Sequence, residues 1–278
     1  MRIYLPMDSA AQALGADELA VLSMAEAAKH GADINLIRNG SRGMIWLEPL
    51  VEVVVNGVHV GFGPMQSADV AALFGDLSVH PKVLGPVDAL PWMQRQTRLT
   101  FARVGVIDPL DLADYAAHGS LEGLRRAIAM TGAEIVAEVT ASGLRGRGGA
   151  GFPTGMKCNT VLGAKASQKF IVCNADEGDS GTFADPMVME GDPFTLIEGM
   201  VIAGLGVGAT KGYVYLRSEY PNAIAVMQAA VRIAQSAGVL GAAALGSGHS
   251  FDMEIRVGAA AYVCGEETSL LNLLLFPT

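Results

Sequence analysis

The chain has 278 residues, of which 51% are hydrophobic and 17% charged, enough for one large or two modest cores; a disulfide-stapled miniprotein and a disordered tail are excluded. Nineteen Lys and Arg against 28 Asp and Glu leave a net charge of -9, a field that repels polyanions and argues against a nucleic-acid partner. Cys158, Cys173 and Cys264 stand far apart in sequence, without the close pair of a zinc ribbon, a dithiol site or a ferredoxin cluster, which points to a reduced, cytoplasmic protein.

The start reaches Pro6 and Asp8 before a signal-peptide core could form. Residues 2–6 read as a strand, 17–30 as a helix stopped by Gly31, and 34–38 as a second strand. Residues 51–55 and 58–62 flank Asn56-Gly57, the pair that tolerates positive φ at both centres of a type I′ turn, and so form a hairpin. Ser67 is placed to cap a helix over 68–74. Strand, helix, strand, hairpin, helix resembles a thioredoxin-like domain over residues 1–80. That segment contains no cysteine, so dithiol exchange is excluded there and a docking or structural role is expected. Residues 81–119, with Pro81, Pro86, Pro91 and Pro109, read as a linker along a surface.

A second domain is expected over 120–278. Thr131 and Glu134 fit a capping box and Gly143 a helix stop. A strand over 169–174 is followed by a helix opened by Asp192-Pro193, where an N-cap acid and an N1 proline coincide, then by a strand over 211–217 and a helix over 221–238. Phe251, Met253, Ile255 and Val257 alternate as a half-buried strand. Strands alternating with helices predict a largely parallel α/β sheet. The apolar stretch 196–216 contains Glu198 and Lys211, so no membrane span is predicted.

Three constellations carry chemistry. The first runs Gly143-Leu-Arg-Gly-Arg-Gly-Gly-Ala-Gly-Phe-Pro-Thr-Gly-Met-Lys157. Gly146, Gly148 and Gly151 satisfy the dinucleotide spacing, but a helix precedes them where that fingerprint needs a strand, and no P-loop Gly-Lys-Ser/Thr follows. Bare backbone admits a flat ring or a pyrophosphate to peptide N–H groups, with Arg145, Arg147 and Lys157 as countercharge; the bland alternative is a flexible interdomain loop. The second is a strand from Phe170 that delivers Asn174, Asp176, Glu177 and Asp179 at its carboxyl end, where α/β sheets bind ligands. Its acids suit N–H groups and ribose hydroxyls, the alternative being a self-capped solvated turn. The third, Tyr262-Val-Cys-Gly-Glu-Glu-Thr268, opens a helix; its acids either complement the positive helix end or join Tyr262 and Gly265 at a ligand. His30, His59, His80, His118 and His249 neighbour none of these motifs, and the cysteines suit small core positions.

In this order the three motifs resemble the flavin subunit of respiratory complex I and its soluble relatives, over about residues 120–274. Gly178 to Asp185, Met189 to Phe194 and the cysteine-free front most resemble the β (FMN- and NADH-binding diaphorase) subunit of soluble NAD-dependent, molybdenum- or tungsten-containing formate dehydrogenase. The diaphorase subunit of NAD-reducing hydrogenase is the near alternative. The resemblance implies an α/β fold with a small thioredoxin-like domain before a Rossmann-like FMN-binding domain. By motif position, Gly146, Arg147, Gly148, Gly149, Lys157, Asn174, Asp176 and Tyr262 would line FMN, with Gly265 and Glu266 close by. Phe152 would stack on NAD(H), and Glu177, Asp179 and Glu267 would take its polar atoms. Hydride would pass directly between nicotinamide and flavin with no catalytic side chain, and electrons would leave singly to iron–sulfur clusters. Implied partners are the formate-oxidising molybdenum or tungsten subunit and a [2Fe-2S] subunit.

The family has Trp where this chain has Cys158, Arg where it has Pro186, and usually Glu where it has Asp179. The ubiquitin-like domain and the four-cysteine [4Fe-4S] domain of the family are not in this sequence, which reads as a C-terminally truncated member without a metal ligand set. A different class of reading is a scaffold fragment without bound flavin.

Overall fold

Valine-rich strands and an Asn-Gly turn build the first of two sheets. The computed structural model describes residues 1–258 and 264–275. Its chain divides into two units: Met1–Tyr115 with Met187–Asp192, and Ala116–Pro186 with Pro193–Thr278.

The first unit contains β1 (Arg2–Tyr4), α1 (Ser9–Ala13), α2 (Ala16–Lys29), β2 (Asn35–Ile37), β3 (Val51–Val55), β4 (Val58–Phe62), β5 (Val83–Pro86) and α3 (Pro91–Gln94). The sheet order is β2-β1-β3-β4-β5, with β1 parallel to β2 and the other pairs antiparallel. Asn56 and Gly57 have φ of 50° and 80° and join Val55 to Val58, the hairpin that their positive-φ tolerance predicts. Gly31 ends α2 at φ 58°. Ile3, Leu5, Leu19, Val53, Phe62 and Leu73 are packed into the core.

Two expectations change here. Residues 67–74 form a 3₁₀ helix whose N-cap is Gln66, because Asp69 reaches back to the Gln66 N–H at 2.9 Å; Ser67 instead donates its hydroxyl to Glu18 at 2.8 Å. Part of the segment read as linker becomes β5, which pairs with β4 across a bulge, and its Pro86 is tolerated because the strand lies at the sheet edge. Beneath the sheet Arg42 makes two bonds to Glu52, at 2.9 and 2.8 Å, and His59 Nδ1 lies 2.8 Å from the same carboxylate. Glu48 accepts from Ser41 and from the Leu50 N–H.

Helix α4 (Leu112–Ala117) spans the division between units, and α5 (Glu122–Ala127), α6 (Gly132–Ala141) and α7 (Thr154–Gly163) follow. The Thr131–Glu134 capping box forms as expected and Gly143 stops α6 at φ 68°. Next come β6 (Phe170–Ala175), α8 (Ala184–Gly191), which also spans the division, α9 (Pro193–Val207), β7 (Lys211–Arg217), α10 (Pro221–Ser236), β8 (Asp252–Gly258) and α11 (Glu267–Leu275). Strands β6, β7 and β8 lie side by side and all parallel. Glu198, an interruption of the apolar stretch, is buried on α9 and accepts the Leu121 and Leu124 N–H groups, each at 3.0 Å, at the start of α5. The expected alternation along β8 stops short, because Val257 is 45% exposed. Among the described residues no helix is long and apolar enough to cross a membrane.

Candidate functional site

All three strands of the parallel sheet end at the same edge, where the segment after β6 meets the chain from Cys264 onward. The glycine-rich loop between α6 and α7 joins them. It is pinned as a small hairpin: Gly146 N donates to Phe152 O at 2.9 Å, Thr154 N to Leu144 O at 2.9 Å, and Arg145 Nε to Gly151 O at 2.5 Å. Arg145 thus spends its Nε inside the loop, while Arg147 lines an open cleft of about 780 Å³.

That cleft is walled by Arg147, Gly148 and Gly149 from the first motif, by Asn174, Asp176, Glu177, Gly178, Asp179, Thr182 and Asp185 from the second, and by Cys264, Gly265 and Glu266 from the third. A Cβ added at Gly148, Gly149 or Gly265 would meet no atom of the described residues within 4 Å, so among these residues the bare positions open onto space rather than onto packed neighbours. Asn174 ties two motifs together: its amide donates to Cys264 O at 2.8 Å and its carbonyl accepts from Asp176 N at 3.1 Å. Among the described residues nothing takes the second N–H or the second carbonyl lone pair of that side chain, which could serve a ligand.

The acids differ in their duties. Glu266 accepts from Thr268 N at 3.1 Å and Ser269 N at 2.8 Å, so it caps α11, and those bonds hold its carboxyl below the usual range. Glu177 accepts from Asp185 N at 3.0 Å. Burial, and then the neighbouring Glu177, push Asp185 up to about 6. Burial also pushes the Cys173 thiol up to about 12.

Of the residues proposed from sequence, Arg147, Gly148, Gly149, Asn174, Asp176, Glu177, Asp179, Gly265 and Glu266 share the cleft wall. Gly146, Phe152, Lys157 and Glu267 lie outside that set. Lys157 sits 5.7 Å from the centroid of the 46% exposed Phe152 ring and pairs with Glu267 at 3.4 Å, linking the first and third motifs. Tyr262 lies outside the described residues. Asp185 and Cys264 were not anticipated: Asp185 occupies the first turn of a helix, where an acid is ordinary, and Cys264 reads as a core residue. Arg217 and Tyr220, which support the wall, were also missed, although their place at and just past the carboxyl end of a parallel strand was the available signal. Among the described residues no group of three or more His, Cys, Asp or Glu is arranged to hold a metal ion.

Residues 139–275 match the family described as the Nuo51 FMN-binding domain, and the mixed α/β fold with its parallel sheet is the fold of that flavin domain. The chain is 51% identical over 179 residues to the HndC component of the NADP-reducing hydrogenase of Solidesulfovibrio fructosivorans, an alignment covering 64% of this chain and 36% of that one. It is 49% identical over 172 residues to a component of the NADH-quinone oxidoreductase of Rhizobium meliloti, covering 62% and 41%. A crystal structure of NAD+-reducing [NiFe]-hydrogenase in the H2-reduced state superposes with a TM-score of 0.50 at 27% identity, covering 98% of this chain and 45% of that one. The alignments thus span about four-tenths of the length of these curated relatives. FMN and NAD(H), the cofactors expected from the motifs, agree with this family, and the open glycine cradle beside Arg147 fits a flat, phosphorylated group.

Proposed function

We propose that the second unit is a diaphorase module, an NADH:acceptor oxidoreductase that moves hydride between NAD(H) and FMN and hands single electrons to iron–sulfur clusters of partner subunits. The observation that carries this reading is the convergence of three sequence-distant motifs on one cleft where a side chain at Gly148, Gly149 or Gly265 would meet no atom of the described residues. When bound, FMN supplies a two-electron acceptor that can release its electrons one at a time. The chain's own part is binding and orientation. The Gly148-Gly149 backbone lets a planar group approach within hydrogen-bond range, Arg147 offsets phosphate charge, and Asn174 holds the second and third motifs at fixed separation. Glu177 and Asp179 suit ribose hydroxyls, and Phe152 offers an exposed ring for stacking.

The motif resemblance favours a formate dehydrogenase as the parent complex, in the cytoplasm, with formate oxidised on a molybdenum or tungsten subunit. The similarity to a hydrogenase component and to a hydrogenase structure favours hydrogen as the electron source. Anaerobic titration of the FMN-reconstituted protein with NADH tests the module itself. Loss of flavin absorbance at one NADH per flavin is expected, with little response to NADPH. Failure to take up FMN, or a flavin that NADH leaves oxidised, overturns the reading. Formate or H2 supplied to the native complex, with NADH formation as the readout, decides the electron source.

A further inference from the structure

Resting on the flavin reading, we infer that Arg217 and Tyr220 are positioning residues that clamp the Asp176–Glu177 turn to the end of β7 and so set the shape and charge of the cleft wall. Arg217 is the last residue of β7. Its Nη1 donates to Glu177 O at 2.9 Å, and the Tyr220 hydroxyl donates to the same oxygen at 2.6 Å. Two donors on one carbonyl fix the plane of the Glu177–Gly178 peptide, which its glycine would otherwise leave loose. Arg217 Nε lies 3.3 Å from Asp176 Oδ1, and Nη2 donates to Glu219 at 3.0 Å. The guanidinium carbon sits 5.4 Å from the Tyr220 ring centroid, so the two clamp residues also hold each other.

Electrostatics gives the clamp its second role. The Asp176 side chain is only 5% exposed, and a carboxylate so enclosed needs a countercharge. Arg217, which also pairs with Glu219, offsets part of the carboxylate's charge without lining the cleft, so the ligand space stays open. Its rigid fork can reach a carboxylate and a carbonyl together, which a lysine cannot reproduce.

The test uses the full chain with R217Q, R217K and Y220F, reading FMN affinity by quenching of flavin fluorescence and hydrogen exchange over residues 174–182. R217Q is expected to weaken FMN binding by about tenfold or more and Y220F by about threefold to tenfold, from the worth of hydrogen bonds to charged and neutral partners. R217K restores part of the loss. In both R217Q and Y220F exchange quickens over 174–182 while α6 keeps its protection. Unchanged FMN affinity in both variants, or exchange that rises equally throughout the unit, overturns the clamp. A wild-type chain that takes up no FMN defeats the flavin reading alone, and the exchange comparison still decides whether these two residues hold the turn.

Discussion

Alanine at Gly148 and at Gly149 separates the two uses of glycine in the cradle. Both positions line the cleft, and at neither would a Cβ meet an atom of the described residues within 4 Å. Gly149, however, has φ 82°, whereas Gly148 lies outside the left-handed region. A side chain at Gly149 therefore costs about 1–2 kcal/mol of backbone strain, a fall in melting temperature of roughly 2–8 °C for a domain of this size class. G148A carries no such strain and is expected to melt within about 2 °C of the wild type, since its stability change stays near 0.5 kcal/mol. Each variant adds a methyl group on the ligand side, and crowding of that size costs about 1–3 kcal/mol, roughly fivefold to 150-fold in FMN affinity. Differential scanning fluorimetry without flavin, beside fluorescence-quenching titration with FMN, reads the two effects independently. The reasoning is refuted if G148A binds FMN as tightly as the wild type, or if the two variants lose equal thermal stability.

Phe152→Ala is expected to raise the NADH concentration for half-maximal flavin reduction about tenfold, from loss of a stacking surface, while FMN affinity holds; stopped-flow bleaching measures both. In the first unit, Glu52→Ala leaves the buried Arg42 guanidinium, among the described residues, with only the exposed Asp88 carboxylate at 3.8 Å and should cost about 3 kcal/mol, read by urea unfolding of that unit. Burial raises Glu48 to about 7, so its contribution is complete below about pH 4.5 and is lost as pH rises through 7; Glu48→Gln should flatten stability across that window, and equal slopes for mutant and wild type would contradict it. Asp185→Asn should flatten the decline in FMN affinity between about pH 5 and 7 that follows from a cleft carboxyl titrating near 6, measured against wild type in the same buffers so that the phosphate's own ionisation cancels.

Local signals in the sequence carried much of the fold. Asn56-Gly57 specified the hairpin because the positive φ it needs is costly for most residue pairs, and Thr131 with Glu134 specified the start of α6 because both capping bonds close within one turn. The misreadings came where tertiary contacts overrode local pattern. Ser67 looks like an N-cap until Glu18, 49 residues away, takes its hydroxyl. The prolines of the presumed linker mask β5, whose edge position spares Pro86 from having to donate. The cleft was legible to the extent that its residues sit in motifs. Asp185 was not, because only folding brings its backbone N–H against Glu177. Arg217 and Tyr220 were not, because their shared acceptor is a main-chain carbonyl 40 and 43 residues earlier in the chain.

Under the proposed function an acid-lined cleft must accept a phosphorylated cofactor, an electrostatic conflict that is eased where Asp176, Glu177 and Glu266 each have a different partner. Asp176 is matched by Arg217 from behind the wall. Glu266 spends both oxygens on the first turn of α11, where the helix end supplies partial positive charge. Glu177 takes a backbone N–H, and burial, with Glu177 beside it, raises the adjacent Asp185 to about 6. Acceptors are thus kept for N–H and hydroxyl groups of a ligand while the field that would repel its phosphate is reduced. Arg147 stands at the glycine side of the same cleft, where no carboxylate of that loop competes for it. Under the same proposal this division of charge would direct phosphate to the glycine and arginine side and the polar edges of ring and ribose to the acid side.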